Sequence, residues 1–273
     1  MPRLMRLLAC DARLREELVL QLVGVATAGP GLEDWAHRLG VDVAVPRVAV
    51  LIALEADTLP AEATLAEQQR LQSVLAGAGE RYLVAPVSLR ELVVLMPTSD
   101  TLGERPSGEQ RRRAQALLER TREGGAAAVR IALGGYFAGP DGLARSYQSA
   151  RTTLRVGRRR QPEASLHDYA DMTLAVLLAQ VGEGWQADEL RRPLDRLTAR
   201  DRGGQLRRTL AAWLAHDMNA AAAAKALHLH RNTLDYRLRR VAEATGLDLA
   251  RLDDCLLLYI GLQLHPAQPH PAR

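Results

Sequence analysis

The stretch "NAAAAAKALHLHRNTLDYRLRRV", residues 219 to 241, leaves a chain few ways to fold. Asn219 is a good N-cap, because its side-chain oxygen can accept an orphan backbone N–H in the first turn of a helix. The alanines that follow make this helix short, small and apolar, fit for tight packing. Only His228, Leu229 and His230 separate it from a longer and more polar segment, which leaves room for just a sharp turn. Short helix, three-residue turn, longer polar helix is the sequence shape of a helix-turn-helix.

On a wheel of about 100° per residue, Leu234, Leu238 and Val241 fall together at i, i+4, i+7 and form the expected core face. Asn232, Tyr236, Arg239 and Arg240 lie on the opposite side, with Asp235 at the margin and Arg231, Thr233 and Arg237 flanking. Arg and Asn are the side chains able to bond two groups on a base edge, to G and to A respectively. The flanking residues stand where phosphates of a duplex would run. A solvated amphipathic helix whose arginines only keep it soluble is the competing reading, and the helix and tight turn before it favour the DNA reader. Residues 204 to 264 hold eight Arg or Lys against six Asp or Glu, so the domain is not strongly basic. Its positive charge is concentrated on the polar helix.

His228 and His230 invite a different reading, as metal ligands or catalytic groups. No Asp, Glu or Cys stands at the spacing that would complete a tetrahedral site, and His216 is the only further candidate. The expectation is therefore no metal, no cofactor and no catalytic residue. Leu229 is expected to point into the core and His230 to sit at the start of the polar helix, where it can bond a backbone group or a phosphate.

With 273 residues and a 47% apolar fraction, the chain has room for two globular cores. Aromatics make up only 4%, so Ala, Leu and Val must build them. The formal charge of +4 only hints at a polyanionic partner. The two cysteines, Cys10 and Cys255, have no nearby partner, which fits a reducing cytosol. Charges at Asp11, Arg13, Arg15, Glu16 and Glu17 interrupt the first apolar stretch too soon for a signal peptide or a membrane span. The expected setting is cytoplasmic, with no membrane partner.

Residues 1 to 40 read as an N-terminal helical connector, with leucines at 4, 7, 8, 14, 18 and 22. From "VDVAVPRVAVLIAL" (41–54) the texture changes to that of a buried central strand. The order after it is helix, two strands, helix, strand and helix, up to residue 160. This β-α-β-β-α-β-α order is the ferredoxin-like theme. Residues 161 to 203 read as a helical linker, 204 to 265 as the all-α helix-turn-helix domain, and 266 to 273 as a disordered tail. The fold class expected is α+β.

The segment "TLAAWLAHDMNAAAAAKALHLHRNTLDYRLRRVAEATGLDLARLDDCLLLYIGLQL" closely resembles the C-terminal DNA-binding domain of the PucR and carbohydrate diacid regulator family of bacterial transcription factors. The resemblance extends upstream through "LLACDARLREELVLQL", "YFAGPDGLARSYQSARTTLRVGRRR" and "GEGWQADELRRPLDRL". It implies a DNA-binding regulator, an activator of sugar diacid utilisation genes that acts as a homodimer on double-stranded operator DNA. The DNA-binding residues expected from the wheel and the turn are His230, Arg231, Asn232, Thr233, Asp235, Tyr236, Arg237, Arg239 and Arg240. Relatives of this kind carry a further N-terminal domain that recognises glucarate, galactarate or glycerate. This sequence starts at what looks like the helix after that domain, so a sugar diacid is expected as a partner only if a sensor domain is supplied elsewhere.

The resemblance also implies a GGDEF-like domain over 41 to 160. Against the cyclase signature, Ser88, Leu89, Arg90, Glu91 and Leu92 occupy the positions of Gly-Gly-acid-acid-Phe. The glycines that allow a nucleotide close to the backbone are missing, and Arg90 puts a positive charge where a metal would want oxygen. No enzyme activity is expected. The alternatives are a nucleotide-binding or cyclase-type protein with an incidental helical bundle, and a protein-interaction adaptor.

Overall fold

The computed structural model describes residues 2–27, 31–55, 59–77, 82–99, 108–123, 125, 128–181 and 184–264. The elements are α1 (Pro2–Leu22), α2 (Leu32–Arg38), β1 (Arg47–Glu55), α3 (Ala61–Ala76), β2 (Leu83–Ser88), β3 (Glu91–Pro97), α4 (Gly108–Arg122), β4 (Ala128–Leu133), α5 (Gly142–Arg160), β5 (Leu166–Asp168), α6 (Tyr169–Val181), α7 (Trp185–Arg200), α8 (Gln205–Ala215), α9 (Ala220–Ala226), α10 (Arg231–Thr245) and α11 (Leu252–Leu264). Two compact units result, Met1–Val176 and Leu177–Arg273. The first is built on a sheet and the second is helical, so the fold is α+β as expected.

The sheet runs in the order β2-β3-β1-β4-β5. β1 lies antiparallel to β3 and β4, β2 antiparallel to β3, and β5 parallel to β4. The first four strands with α3 and α4 make the ferredoxin-like unit, and β5 extends its edge. The expected strand 41–54 begins later, at Arg47. Pro46 cannot donate to a ladder, and Val41 packs instead with Leu18, Ala36 and Leu39.

Side chains alternate across a strand, and both faces of this sheet are covered. Val48, Val50, Ile52 and Leu54 of β1, with Leu92, Val94 and Met96 of β3 and Val129, Ile131 and Leu133 of β4, meet Leu71 and Leu75 of α3 and Leu117 and Leu118 of α4. The intervening Ala49, Leu51, Ala53, Val93, Leu95 and Ala132 meet Val19 and Val23 at the end of α1 and Tyr147, Ala150 and Leu154 of α5. With apolar residues on both faces, polarity cannot set the register. Size does, because the small residues Ala49, Ala53 and Ala132 all share the α5 face, where a one-residue slip would crowd the helix. Each fully buried Leu, Ile or Val contributes about 1.5–3 kcal/mol relative to exposure.

The region expected as an N-terminal connector divides. Leu18, Val19 and Val23 are buried with the sheet unit, while Leu14 is 37% exposed and Cys10 is exposed. The segment expected as a linker also takes part in a core. Leu194 and Leu197 of α7 pack with Leu210 and Trp213 of α8, Ala223 of α9, Leu234, Leu238 and Val241 of α10, and Cys255 and Leu258 of α11.

His167 of β5 is fully buried, and neither ring nitrogen has a hydrogen-bond partner among the described residues. Its ring lies on Gly157 of α5, where a Cβ would stand 2.3 Å from His167 Cγ. Burial, and then the guanidinium groups of Arg130 and Arg158, lower its pKa below the ordinary 6.5. The unfolded chain therefore binds a proton near pH 6.5 that the folded unit refuses until lower pH. Between those values the unfolded state holds more protons, so stability is complete above pH 6.5 and falls as the pH drops through it. Urea titrations at pH 7.5 and 5.5 are expected to show this loss, and His167→Leu to reduce it. An unchanged pH dependence in His167→Leu would assign the effect to other groups.

Candidate nucleic-acid interface

The helix-turn-helix is built as its local chemistry requires. Asn219 Oδ1 accepts from Ala222 N at 3.0 Å and caps α9. His228 holds a left-handed backbone with φ 52°, and Leu229 N returns to Ala224 O at 2.9 Å. His228 and His230 are exposed, whereas Leu229 is half-buried. His230 Nδ1 accepts from Asn232 N at 3.3 Å and caps α10. Accepting at Nδ1 puts the proton of the neutral ring on Nε2, which leaves a donor at the start of the helix.

Along α10, Leu234, Leu238 and Val241 are buried, as the wheel expected. Arg231, Asn232, Thr233, Tyr236, Arg239 and Arg240 are exposed, and Asp235 and Arg237 are half-exposed. The nine residues singled out in the sequence therefore share the start and outer side of one helix. Tyr236 is 58% exposed.

The arginines differ in how they are held. Arg237 Nη2 donates to Gln205 Oε1 at 2.9 Å, which ties α10 to the start of α8. Arg240 pairs with Glu243 at 2.9 Å, and Arg231 lies 3.9 Å from Asp235. Arg239 Nε reaches back to the carbonyl of Asp235 at 3.4 Å. Exposed ion pairs of this kind contribute about 0–1 kcal/mol, so phosphates or base edges can replace them at small cost. Sequence reasoning missed Gln205, 32 residues away in the chain. It also missed Arg200 of α7, whose Nη1 donates to the Glu243 carbonyl at 3.2 Å and braces the far end of α10. Neither partner has a local signal, because both bonds depend on how separate helices pack.

Elsewhere the β2–β3 turn exposes Ser88, Leu89 and Arg90. Arg90 O accepts from Leu54 N at 2.8 Å, which fixes the turn against the end of β1. Among the described residues no group of three or more His, Cys, Asp or Glu is placed to hold a metal ion. No described helix is long and apolar enough to cross a membrane.

Two domain families match this chain. A GGDEF-like domain covers residues 25–156, and a PucR C-terminal helix-turn-helix domain covers residues 206–264. The chain is 48% identical over 262 residues to the carbohydrate diacid regulator of Escherichia coli, a match that takes in 96% of this chain and 68% of that protein. It is 27% identical over 261 residues to the DNA-binding transcriptional activator AdeR of Bacillus subtilis, covering 93% of this chain and 60% of that protein. This chain thus spans about two thirds of the length of these relatives. A solved structure, the regulator of polyketide synthase expression from Bifidobacterium adolescentis, matches with TM-score 0.37 and 16% identity over 93% of this chain and 98% of that one. With its capped polar helix on a short-helix turn, and with nearly half its residues identical to the Escherichia coli protein, the chain belongs to the carbohydrate diacid regulator family of DNA-binding transcription regulators.

Proposed function

We propose that this protein activates genes for sugar diacid utilisation by binding an operator through α10. The observation that carries the reading is the division of α10 into a buried apolar stripe and an outer face of Asn232, Tyr236, Arg239 and Arg240. The class of gene is taken from the name of the Escherichia coli relative. A sugar diacid is the proposed signal, by the name of the same relative. The chain works in the cytoplasm, without cofactor or catalysis, and the sheet unit serves as a platform, with Arg90 standing where a cyclase would need an oxygen ligand.

A homodimer is part of the proposal. One recognition helix offers limited contact area, and pairing two on a symmetric site is the common route to specificity. The DNA-reading unit is proposed to begin with α7, because Leu194 and Leu197 belong to its core.

Gel-shift titrations at fixed salt test the assignment. Arg239→Ala is expected to weaken discrimination between operator and unrelated duplex by about 1–3 kcal/mol. Arg237→Ala is expected to weaken binding to both duplexes alike. If neither substitution changes binding, α10 does not face the groove as proposed.

A further inference from the structure

Helix α5 carries six arginines, Arg145, Arg151, Arg155, Arg158, Arg159 and Arg160, and no acidic residue. All six are exposed. The recognition helix has four arginines against Asp235 and Glu243, so its formal charge is +2 where that of α5 is +6. The densest positive charge on any described helix is therefore outside the helix-turn-helix. Composition does not account for it, because the whole chain balances 36 Lys and Arg against 32 Asp and Glu.

A helix needs some polar face toward water, but not this one. Arg158, Arg159 and Arg160 sit in the last turn, where positive charge complements the helix dipole. That leaves Arg145, Arg151 and Arg155 without such a reason. Arg151, Arg155 and Arg159 stand four residues apart, and like charges at that spacing weaken a helix. The surroundings meet part of this charge, and Arg155 and Arg160 have interaction partners too. Arg158 pairs with Glu55 at 2.7 Å, and the Arg151 guanidinium lies 5.8 Å from the centre of the Tyr147 ring. Glu91 shares a recess with Arg151 and another with Arg158, the second also lined by Arg90. The opposite face of α5 is fully occupied, with Ala150 and Leu154 buried against the sheet.

We propose that the arginine face of α5 binds the phosphate backbone of double-stranded DNA, a contact independent of sequence and separate from the helix-turn-helix. The proposal rests on the reading of this chain as a DNA-binding regulator. Guanidinium groups bond phosphate oxygens in pairs. From Arg151 to Arg159 the stripe rises about 12 Å, the axial length of roughly three to four nucleotides of one strand. A contact of this kind adds affinity and positions the protein without reading bases.

The full-length chain is compared with its Arg151→Gln, Arg155→Gln, Arg159→Gln triple variant by fluorescence anisotropy, on operator and unrelated duplexes between 50 and 200 mM salt. The expected result is a loss on the order of tenfold on both duplexes, with the slope of log affinity against log salt flattened by roughly 2 to 3. The ratio between the two duplexes stays as in the wild type, whereas Arg239→Ala changes that ratio. Circular dichroism checks the fold. If the triple variant is unfolded, the single variants Arg155→Gln and Arg159→Gln are used, each expected to flatten the slope by about 1. Unchanged affinity and slope in a variant of a wild-type protein that binds DNA overturn the α5 proposal alone. The same holds if DNA binding is intact but sedimentation with phosphatidylserine vesicles is lost, which would give the surface to an anionic membrane. A wild-type chain with no salt-dependent DNA affinity overturns the functional reading and the α5 contact with it.

Discussion

Gly134→Ala is expected to destabilise the sheet unit by about 3 kcal/mol, at the upper end of what forced overpacking costs. A Cβ at this position would lie 2.3 Å from the carbonyl oxygen of Ser146, and 3.0 Å from both the Ala49 carbonyl and Ser149 Oγ. The first two are backbone atoms, which cannot rotate away. The crowding follows from the way α5 is fastened across the end of the sheet. Gly134 N donates to Ala49 O at 2.9 Å, Ala49 N to Ser146 Oγ at 2.8 Å, and Gly135 N to Ser149 Oγ at 3.0 Å. Moving α5 outward to admit a methyl group would loosen these bonds and the packing of Ala150 and Leu154 together. Urea unfolding followed by far-ultraviolet circular dichroism measures the loss. A change below about 1 kcal/mol, the low end for such substitutions, would show that α5 can step away from the sheet freely.

Leu234→Ala is expected to cost the helical unit about 2–5 kcal/mol, the range for truncating a buried leucine. Leu234 is fully buried, in a core with Leu210, Trp213, Ala223 and Leu258. The same core contains Ala223 and Ala224 of α9, so little side-chain volume is at hand to fill the space. The fluorescence of Trp213, which is 7% exposed, reports on unfolding of this core. DNA binding should fail at temperatures where the variant unfolds. Asn232→Ala provides the contrast, because Asn232 is exposed. It should change stability by no more than about 0.5 kcal/mol while reducing discrimination among DNA sequences. Equal stability losses in the two variants would mean that the two faces of α10 had been assigned wrongly.

Much of this architecture was legible before any coordinates. The wheel that set Leu234, Leu238 and Val241 against Asn232, Tyr236 and Arg239 matches the burial of α10, because helical periodicity is a property of the chain itself. The strand and helix order from β1 to α5 was legible for the same reason, although the start of β1 was placed six residues early. The short helix α2 and the three-residue strand β5 were not foreseen, being too short to show a period. What makes Gly134 necessary is a helix that arrives from twelve residues further along the chain.

The charge pattern carried less than it now does. The arginines of α10 drew attention through the turn before them, while the sequence analysis attached no role to those of α5. Only the fold shows that all six arginines stay exposed while Ala150 and Leu154 of the same helix are buried against the sheet.

The sequence by itself determined the order of the longer helices and strands, which face of α10 is apolar, and that α9 and α10 are joined by a tight turn. Each of these depends on interactions within a few residues, whose geometry the backbone sets. The tertiary structure alone decided that α7 packs into the core of the helical unit and that Arg237 is held by Gln205. It also decided that His167 is buried without a hydrogen-bond partner among the described residues and that Gly134 admits no side chain. Those outcomes depend on which surfaces meet across long separations, and close packing sets them only once the whole chain is folded.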